Sequence, residues 1–262
     1  MHRATGRDTL RTIRRSLSRY LSIALIIAIG VAFFAGLTST GSDMRLTADK
    51  YYTDTNTQDM FILSTLGFAE ADLEAIRAVD GVDQVMGSYF VDCLTISPDN
   101  FPTHVLSLPD NLWHGNEAYL NQLRMLDGRA PKNDDECVID QNIRDKFGFD
   151  VGDTLTLRAA REGDDLTDTL ENTAFTVVGV ANSPLYIDMT KRGATTIADG
   201  SLDAWIYIPH GNFKTDFYTQ LSITYAPARE FACYDEGYLP SLEPLRQALE
   251  QFAGRNRRFG GV

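Results

Sequence analysis

Residues 20–37 (YLSIALIIAIGVAFFAGL) carry no charge and no proline, and this stretch limits the rest of the chain more than any other. As a helix rising ~1.5 Å per residue it covers roughly 27 Å, close to the ~30 Å hydrocarbon thickness of a bilayer. Ten of its side chains are Leu, Ile, Val or Phe. Each favours insertion by ~0.3–0.6 kcal/mol near the bilayer centre, where a single Arg would oppose it by ~2.5–3.5 kcal/mol. A membrane-spanning helix over residues 20–40 is therefore expected.

The charges give its direction. Residues 1–19 hold six arginines against Asp8, a net +5; the whole chain carries −12, so the residues after 19 carry −17. Arginines flanking a first apolar segment hold that flank in the cytoplasm. Arg7, Arg11, Arg14, Arg15 and Arg19 are accordingly expected to set the topology and to meet the membrane surface, with everything after about residue 40 extracytoplasmic. A cleaved signal peptide is the competing reading, since Ser39, Thr40 and Gly41 form a permissive small-residue site. Against it, the apolar run exceeds the usual ~7–15 residues and a long segment precedes it.

Ala24, Ala28, Ala32 and Gly36 recur every four residues. Small side chains let a neighbouring helix approach closely, which is a main source of helix association in lipid. Two readings stand open: alanine and glycine are common in membrane helices, or these four residues are a packing row for partner helices. Before the span, Leu10, Ile13, Leu17 and Tyr20 share one helical face with arginines around the rest. This fits an amphipathic elbow (residues 1–19) lying on anionic lipid headgroups, and equally a plain basic flank. After it, residues 41–56 read as a stalk, with Tyr51 and Tyr52 at the headgroups or in the base of the next domain.

Residues 57–254 are long enough to bury a core of their own, with two lobes possible in that length. Residues 59–65 read as a buried strand. Residues 70–79 place Leu73, Ile76 and Val79 on one helical face, with Gly81 closing the helix. Residues 84–96 and 103–108 are strand-like, a βαβ-type opening of undetermined sense. Cys137–Ile139 is a short strand whose following Asp140 suits the N-cap of a helix ending at Phe147 and closed by Gly148. Residues 151–157, 175–180 and 204–208 are further strands. Leu221, Ile223 and Tyr225 alternate with Ser222 and Thr224, the pattern of a strand with one wet face. A last helix is expected over residues 241–252. The fold class is α+β: one transmembrane helix, then a mixed α/β extracytoplasmic domain.

The basic segment, the span ending in GVAFFAGL, and the following DMRLTADKYY, STLGF and DLEAIRAVDGV, with LDGRAPKNDDECVID, FGFDVGDTLTL and FTVVGVANSP further on, together resemble the amino-terminal part of FtsX/MacB-like ABC transporter permeases. The resemblance covers about residues 9–252 and rests on order and spacing. It implies a MacB-type extracytoplasmic core domain, a permease component without catalysis of its own, and a separate ABC ATPase subunit. It also implies packing partners for the helix, either the remaining spans of the permease or a second permease copy. Two departures stand out. Phe68 and Ala69 occupy the place where the family usually offers a Ser or Thr cap. Residues 255–262 form an atypical tail, as expected of a truncated or frame-shifted reading frame.

Chemistry is sparse. His2, His104, His114 and His210 lack ligand spacing, and no cofactor or metal is expected. Cys93, Cys137 and Cys233 are odd in number without any C-x-x-C; the first two sit in apolar strands, where buried free thiols are usual. The acidic runs 134–136 and 162–165 lack the register of a calcium loop and read as solvated loops. Neither G-x-S-x-G nor a P-loop occurs, so nucleotide energy would have to arrive through another subunit. The acidic exterior disfavours nucleic acid. Three function classes remain: a permease component, a self-sufficient single-pass protein with an extracellular binding or sensing domain, and an anchored enzyme whose site is too dispersed to see.

Overall fold

The computed structural model describes residues 17–109, 119–161, 163–188 and 192–259, with side chains described as far as residue 253. They fall into two compact units, Met1–Asp49 and Lys50–Val262. In the first, helix α1 (Leu17–Asp54) carries the apolar stretch and runs unbroken for 38 residues, its last turn belonging to the second unit. Residues 17–47 are all exposed, the apolar stretch 20–37 among them. The hydroxyls that would be costly there are satisfied by the helix itself: Ser22 donates to the Ser18 carbonyl, Thr38 to Phe34 and Thr40 to Gly36, at 2.8, 3.0 and 2.7 Å.

The second unit holds two sheets. Strands β1 (Met60–Phe68), β2 (Val82–Ser88) and β10 (Tyr218–Tyr225) form the smaller one in the order β1-β10-β2, with β10 antiparallel to both neighbours. The opening β1-α2-β2 unit is therefore a parallel pair split by a strand from the far end of the chain. Helix α2 (Glu70–Arg77) and the last helices, α4 (Tyr238–Ser241) and α5 (Glu243–Phe259), follow the sheet-covering pattern. Leu73 and Ile76 meet Val85, Leu221, Ile223, Leu245 and Leu249 in one core. The absent Ser or Thr cap of α2 is offset at its own backbone, where the Asp72 carboxylate accepts from the Ala69 N–H at 2.8 Å.

The larger sheet runs β5-β8-β6-β9-β4-β3-β7, and an added β7–β8 pairing closes it. Its members are β3 (Phe90–Thr95), β4 (Phe101–Leu108), β5 (Arg124–Gly128), β6 (Glu136–Asp140), β7 (Thr154–Arg158), β8 (Ala174–Asn182) and β9 (Ala204–Pro209). Six of these strands form a ring, and β5 lies alongside β8. Alternate residues fill the inside: Cys93, Val105, Cys137, Ile139, Leu155, Phe175, Ala204, Ile206 and Ile208 share one core. Trp205, Tyr207, Val138 and Leu106 pack together in a separate core outside it. Apart from the half-buried Thr176, FTVVGV and AWIYI are without hydrophilic side chains because both their faces are covered. Helix α3 (Gln141–Phe147) follows β6, with Asp140 accepting from Asn142 N–H and Gly148 in the left-handed region at φ +78°.

Several expectations are corrected. Residues 59–65 are not a buried strand: β1 is a sheet edge, so Phe61 and Leu63 are exposed. The stretch 84–96 breaks at Tyr89, β2 going to the small sheet and β3 to the large one. Helix α2 ends at Arg77, and Gly81 (φ +83°) serves the turn into β2. The face of β10 expected to be wet is dry, with Ser222 and Thr224 fully buried, because β10 is the central strand and Asn121 reaches across to Ser222. The last helix continues to Phe259. Residues 260–262 of the expected tail lie outside the described residues.

Candidate functional site

On α1, Ala24, Ala28, Ala32 and Gly36 lie four residues apart, hence along one side of the helix, and all four are exposed. A side chain built at Gly36 would meet nothing within 4 Å. Arg19 is exposed near the helix start; Arg7, Arg11, Arg14 and Arg15 lie outside the described residues.

Where α1 ends, the second unit binds the chain residue by residue. The Thr55 hydroxyl donates to the Tyr51 carbonyl at 2.7 Å. Asn56, at φ +47°, donates through its amide to Gln84 and to the Tyr119 carbonyl. Its own carbonyl accepts from Asn121 N–H, while that of Thr55 accepts from Gln122 N–H at 2.8 Å. Gln58 N–H donates to the Asn121 side chain, whose amide returns a bond to Gln58 and reaches Ser222. Asp59 accepts from Tyr225 N–H and from the Tyr238 hydroxyl, both at 2.8 Å, with Arg229 at 3.4 Å. Its side chain is only 7% exposed. Tyr51 and Tyr52 are half-buried. The residues that leave the helix are thus fixed to β10, to the 119–122 segment and to α4, where a tether would hang free.

Elsewhere the ionisable groups are occupied in holding loops. Glu136, inside the acidic run expected to be a solvated loop, is buried. It accepts two bonds of 2.7 Å from Arg129, one from Lys132 N–H and one from Asn133. The Arg129 bond leads these in drawing its carboxyl down to about 2, against the pull of burial. Residues 163–165 of the other acidic run are exposed, Asp165 capping a 3-10 turn at Leu166–Asp168; Glu162 lies outside the described residues.

Asp92 and His104 are register partners on β3 and β4, with Nδ1 2.5 Å from Oδ1. Burial works to raise the Asp92 carboxyl, but bonds from His104 and Thr195 outweigh it and leave it below its ordinary value. A histidine–aspartate pair becomes catalytic by taking a proton from a nucleophile. A neighbouring hydroxyl, that of Thr195, donates to Asp92 Oδ2 at 2.5 Å. His210 stacks edge-on to Tyr89, and His2 and His114 lie outside the described residues. Among the described residues no three His, Cys, Asp or Glu side chains gather to hold a metal. None of Cys93, Cys137 and Cys233 is in a disulfide, and burial pushes the thiols of the first two well above the ordinary range.

The Asp92–His104 pair follows from hairpin register once β3 and β4 are paired. Apart from the Thr55–Tyr51 bond, the junction network carries no local signal, since its bonds join residues 28 to 179 positions apart.

The family model described as the MacB-like periplasmic core domain matches residues 21–232. No curated protein matches. Among solved structures, the chain is similar to the extracellular domain of the noncanonic ABC-type transporter YknZ from Gram-positive bacteria, at 16% identity over 64% of this chain and 78% of that one, TM-score 0.37. It is also similar to the periplasmic region of MacB from Actinobacillus actinomycetemcomitans, at 13% identity over 72% and 75%, TM-score 0.34.

Proposed function

Because the chain belongs to the family of the MacB-like periplasmic core domain, we propose that it is the leading, membrane-anchored portion of the permease of an ATP-driven ABC transporter or mechanotransmission complex. On this reading it is not itself an enzyme. Its N-terminus is cytoplasmic, α1 crosses the membrane, and the second unit works outside. The energy comes from a separate ABC ATPase subunit, and motion of α1 is what the outer domain receives.

One observation carries this reading. The chain that leaves α1 is not a free tether, because Thr55, Asn56, Gln58 and Asp59 are each bonded to distant parts of the domain. These bonds lie within the second unit and fix its first residues, which suits a mechanical input better than a flexible linker would. Ala24, Ala28, Ala32 and Gly36 then serve as the packing row for the remaining spans of the permease or for a second copy, with lipid on the other sides.

The experiment is to isolate the tagged chain from membranes of its own host under mild detergent. Retention of a P-loop ATPase in stoichiometric amount is expected. Recovery of the chain free of any ATPase, at every detergent strength that keeps it folded, would overturn the proposal.

A further inference from the structure

The bonds that hold residues 55–59 lead to two different parts of the second unit. One set starts from Thr55, Asn56 and Gln58 and ends between residues 84 and 122. The Asn56 amide reaches Gln84 at 3.1 Å, the Thr55 and Asn56 carbonyls accept from Gln122 and Asn121, and Gln58 exchanges bonds with Asn121.

The other set gathers on Asp59. Oδ2 accepts from Tyr225 N–H at 2.8 Å, with Arg229 Nε at 3.4 Å, and Oδ1 accepts from the Tyr238 hydroxyl at 2.8 Å. Arg229 also donates to the Thr57 carbonyl at 3.0 Å. Tyr225 ends β10, Arg229 lies in the 3-10 turn after it, and Tyr238 opens α4, which leads into α5. At this carboxylate the chain that enters the domain therefore meets the chain that runs to its last helix.

Apolar packing does not duplicate the tie. Leu245 and Leu249 of α5 pack on Leu221 and Ile223, and none of the described residues 50–59 belongs to that core. A second polar contact does join the two regions, since Tyr52 is hydrogen-bonded to Tyr234. Tyr234 is exposed, however, and water competes with a bond between neutral hydroxyls. The Asp59 side chain is only 7% exposed, and bonds to a carboxylate are about twice as strong as those between neutral groups. Of the two contacts, Asp59 is the one that holds.

We propose that Asp59 and Tyr238 are positioning residues that join the last turn of α1, residues 50–54, to α4 and α5, separately from the bonds that tie it to β2. Motion arriving at that turn then reaches the last helix of the domain through one buried carboxylate. The use of this joint rests on the mechanical reading above; its existence does not, and its test involves no ATPase.

The test uses the full chain in lipid nanodiscs, with Cys233 replaced by serine and spin labels on pairs of cysteines introduced at the exposed positions Asp54, Asp83 and Gln247. Narrow 54–83 and 54–247 distance distributions are expected in the parent. Tyr238→Phe removes one hydroxyl and keeps the ring that packs against the core. It should lose the narrow 54–247 distance, keep the 54–83 distance, and speed amide exchange at Tyr225 about tenfold. Tyr234→Phe should leave both distances narrow. An unchanged 54–247 distance in Tyr238→Phe, or loss of both distances together, would overturn the proposal. So would loss of the 54–247 distance in Tyr234→Phe, which would assign the tie to the exposed pair. None of these results bears on retention of an ATPase, so the joint and the permease reading fail separately.

Discussion

Arg192 and Asp140 face each other across 52 residues of sequence, Nε 2.8 Å from Oδ2 and a second guanidinium nitrogen 2.9 Å from Oδ1, with side chains 2% and 1% exposed. Asp140 also caps α3, and Arg192 donates to the Tyr186 carbonyl. The pair therefore anchors the long β8–β9 connection to the start of a helix. Removing one member of a buried pair leaves an uncompensated charge and costs about 3–5 kcal/mol. Arg192→Leu should lower the denaturation midpoint accordingly. A change within ~0.5 kcal/mol would mean that the pair is not closed in solution.

The same pair sets a pH dependence. Burial raises the Asp140 carboxyl from 3.8 to about 6, against the opposing pull of Asn142 N–H and Arg192. The folded form then holds this proton more firmly than the unfolded chain does, so the contribution of Asp140 to stability falls as pH rises from about 4 to about 6 and is flat above. Arg192→Leu removes the counter-charge, and its loss of stability should extend above pH 6. Denaturant titrations of both forms between pH 4 and 8 check this.

Glu136 works in the opposite sense. Its carboxyl is held near 2 against an ordinary 4.5, so its contribution is complete above about 4.5 and is lost as pH falls toward 2. Glu136→Gln should flatten acid unfolding within that window and leave the behaviour above pH 5 unchanged in slope. Circular dichroism against pH reads the difference.

Gly128 and Gly179 are register partners on β5 and β8. Gly128 sits at φ +69°, where an added Cβ would come 2.2 Å from the Val178 carbonyl oxygen; one on Gly179 would come 2.4 Å from the Arg129 carbonyl oxygen. Either glycine to alanine forces two backbones apart. Each change should cost more than the ~1–3 kcal/mol of a strained backbone position alone, seen as a lower thermal midpoint of the second unit.

Lipid-facing association is tested on α1. Replacing Ala28 and Ala32 by leucine preserves apolarity and so membrane insertion, but fills the row along which a second helix would approach. Carbonate-resistant membrane retention should stay unchanged while assembly, followed by crosslinking, is lost. Unchanged assembly would remove the packing role from these residues.

Much of this was legible because local rules sufficed. The apolar stretch 20–37 is continuous and uncharged, Asp140 and Gly148 bracket α3 as cap residues do, and FTVVGV and AWIYI read as strands. The errors share a different cause. Whether β1 lies at an edge, and whether Ser222 and Thr224 are wet, depends on which strand ends up beside which, and β10 joins the opening strands from about 160 residues away. Closure of the large sheet through β7–β8, the Arg192–Asp140 pair and the junction network at Thr55 to Asp59 are likewise products of tertiary pairing. Hydrophobic periodicity carries none of that information.

The central claim is that α1 spans the membrane with the second unit outside. With Cys233 replaced by serine and Cys93 and Cys137 buried in the core, single cysteines at exposed Ser18 and exposed Thr167 report the two sides to a membrane-impermeant maleimide. The account predicts that intact cells label the cysteine at position 167 and spare the one at 18 until the membrane is opened. Labelling of 18 with 167 protected, or release of the whole chain into the soluble fraction, would contradict it.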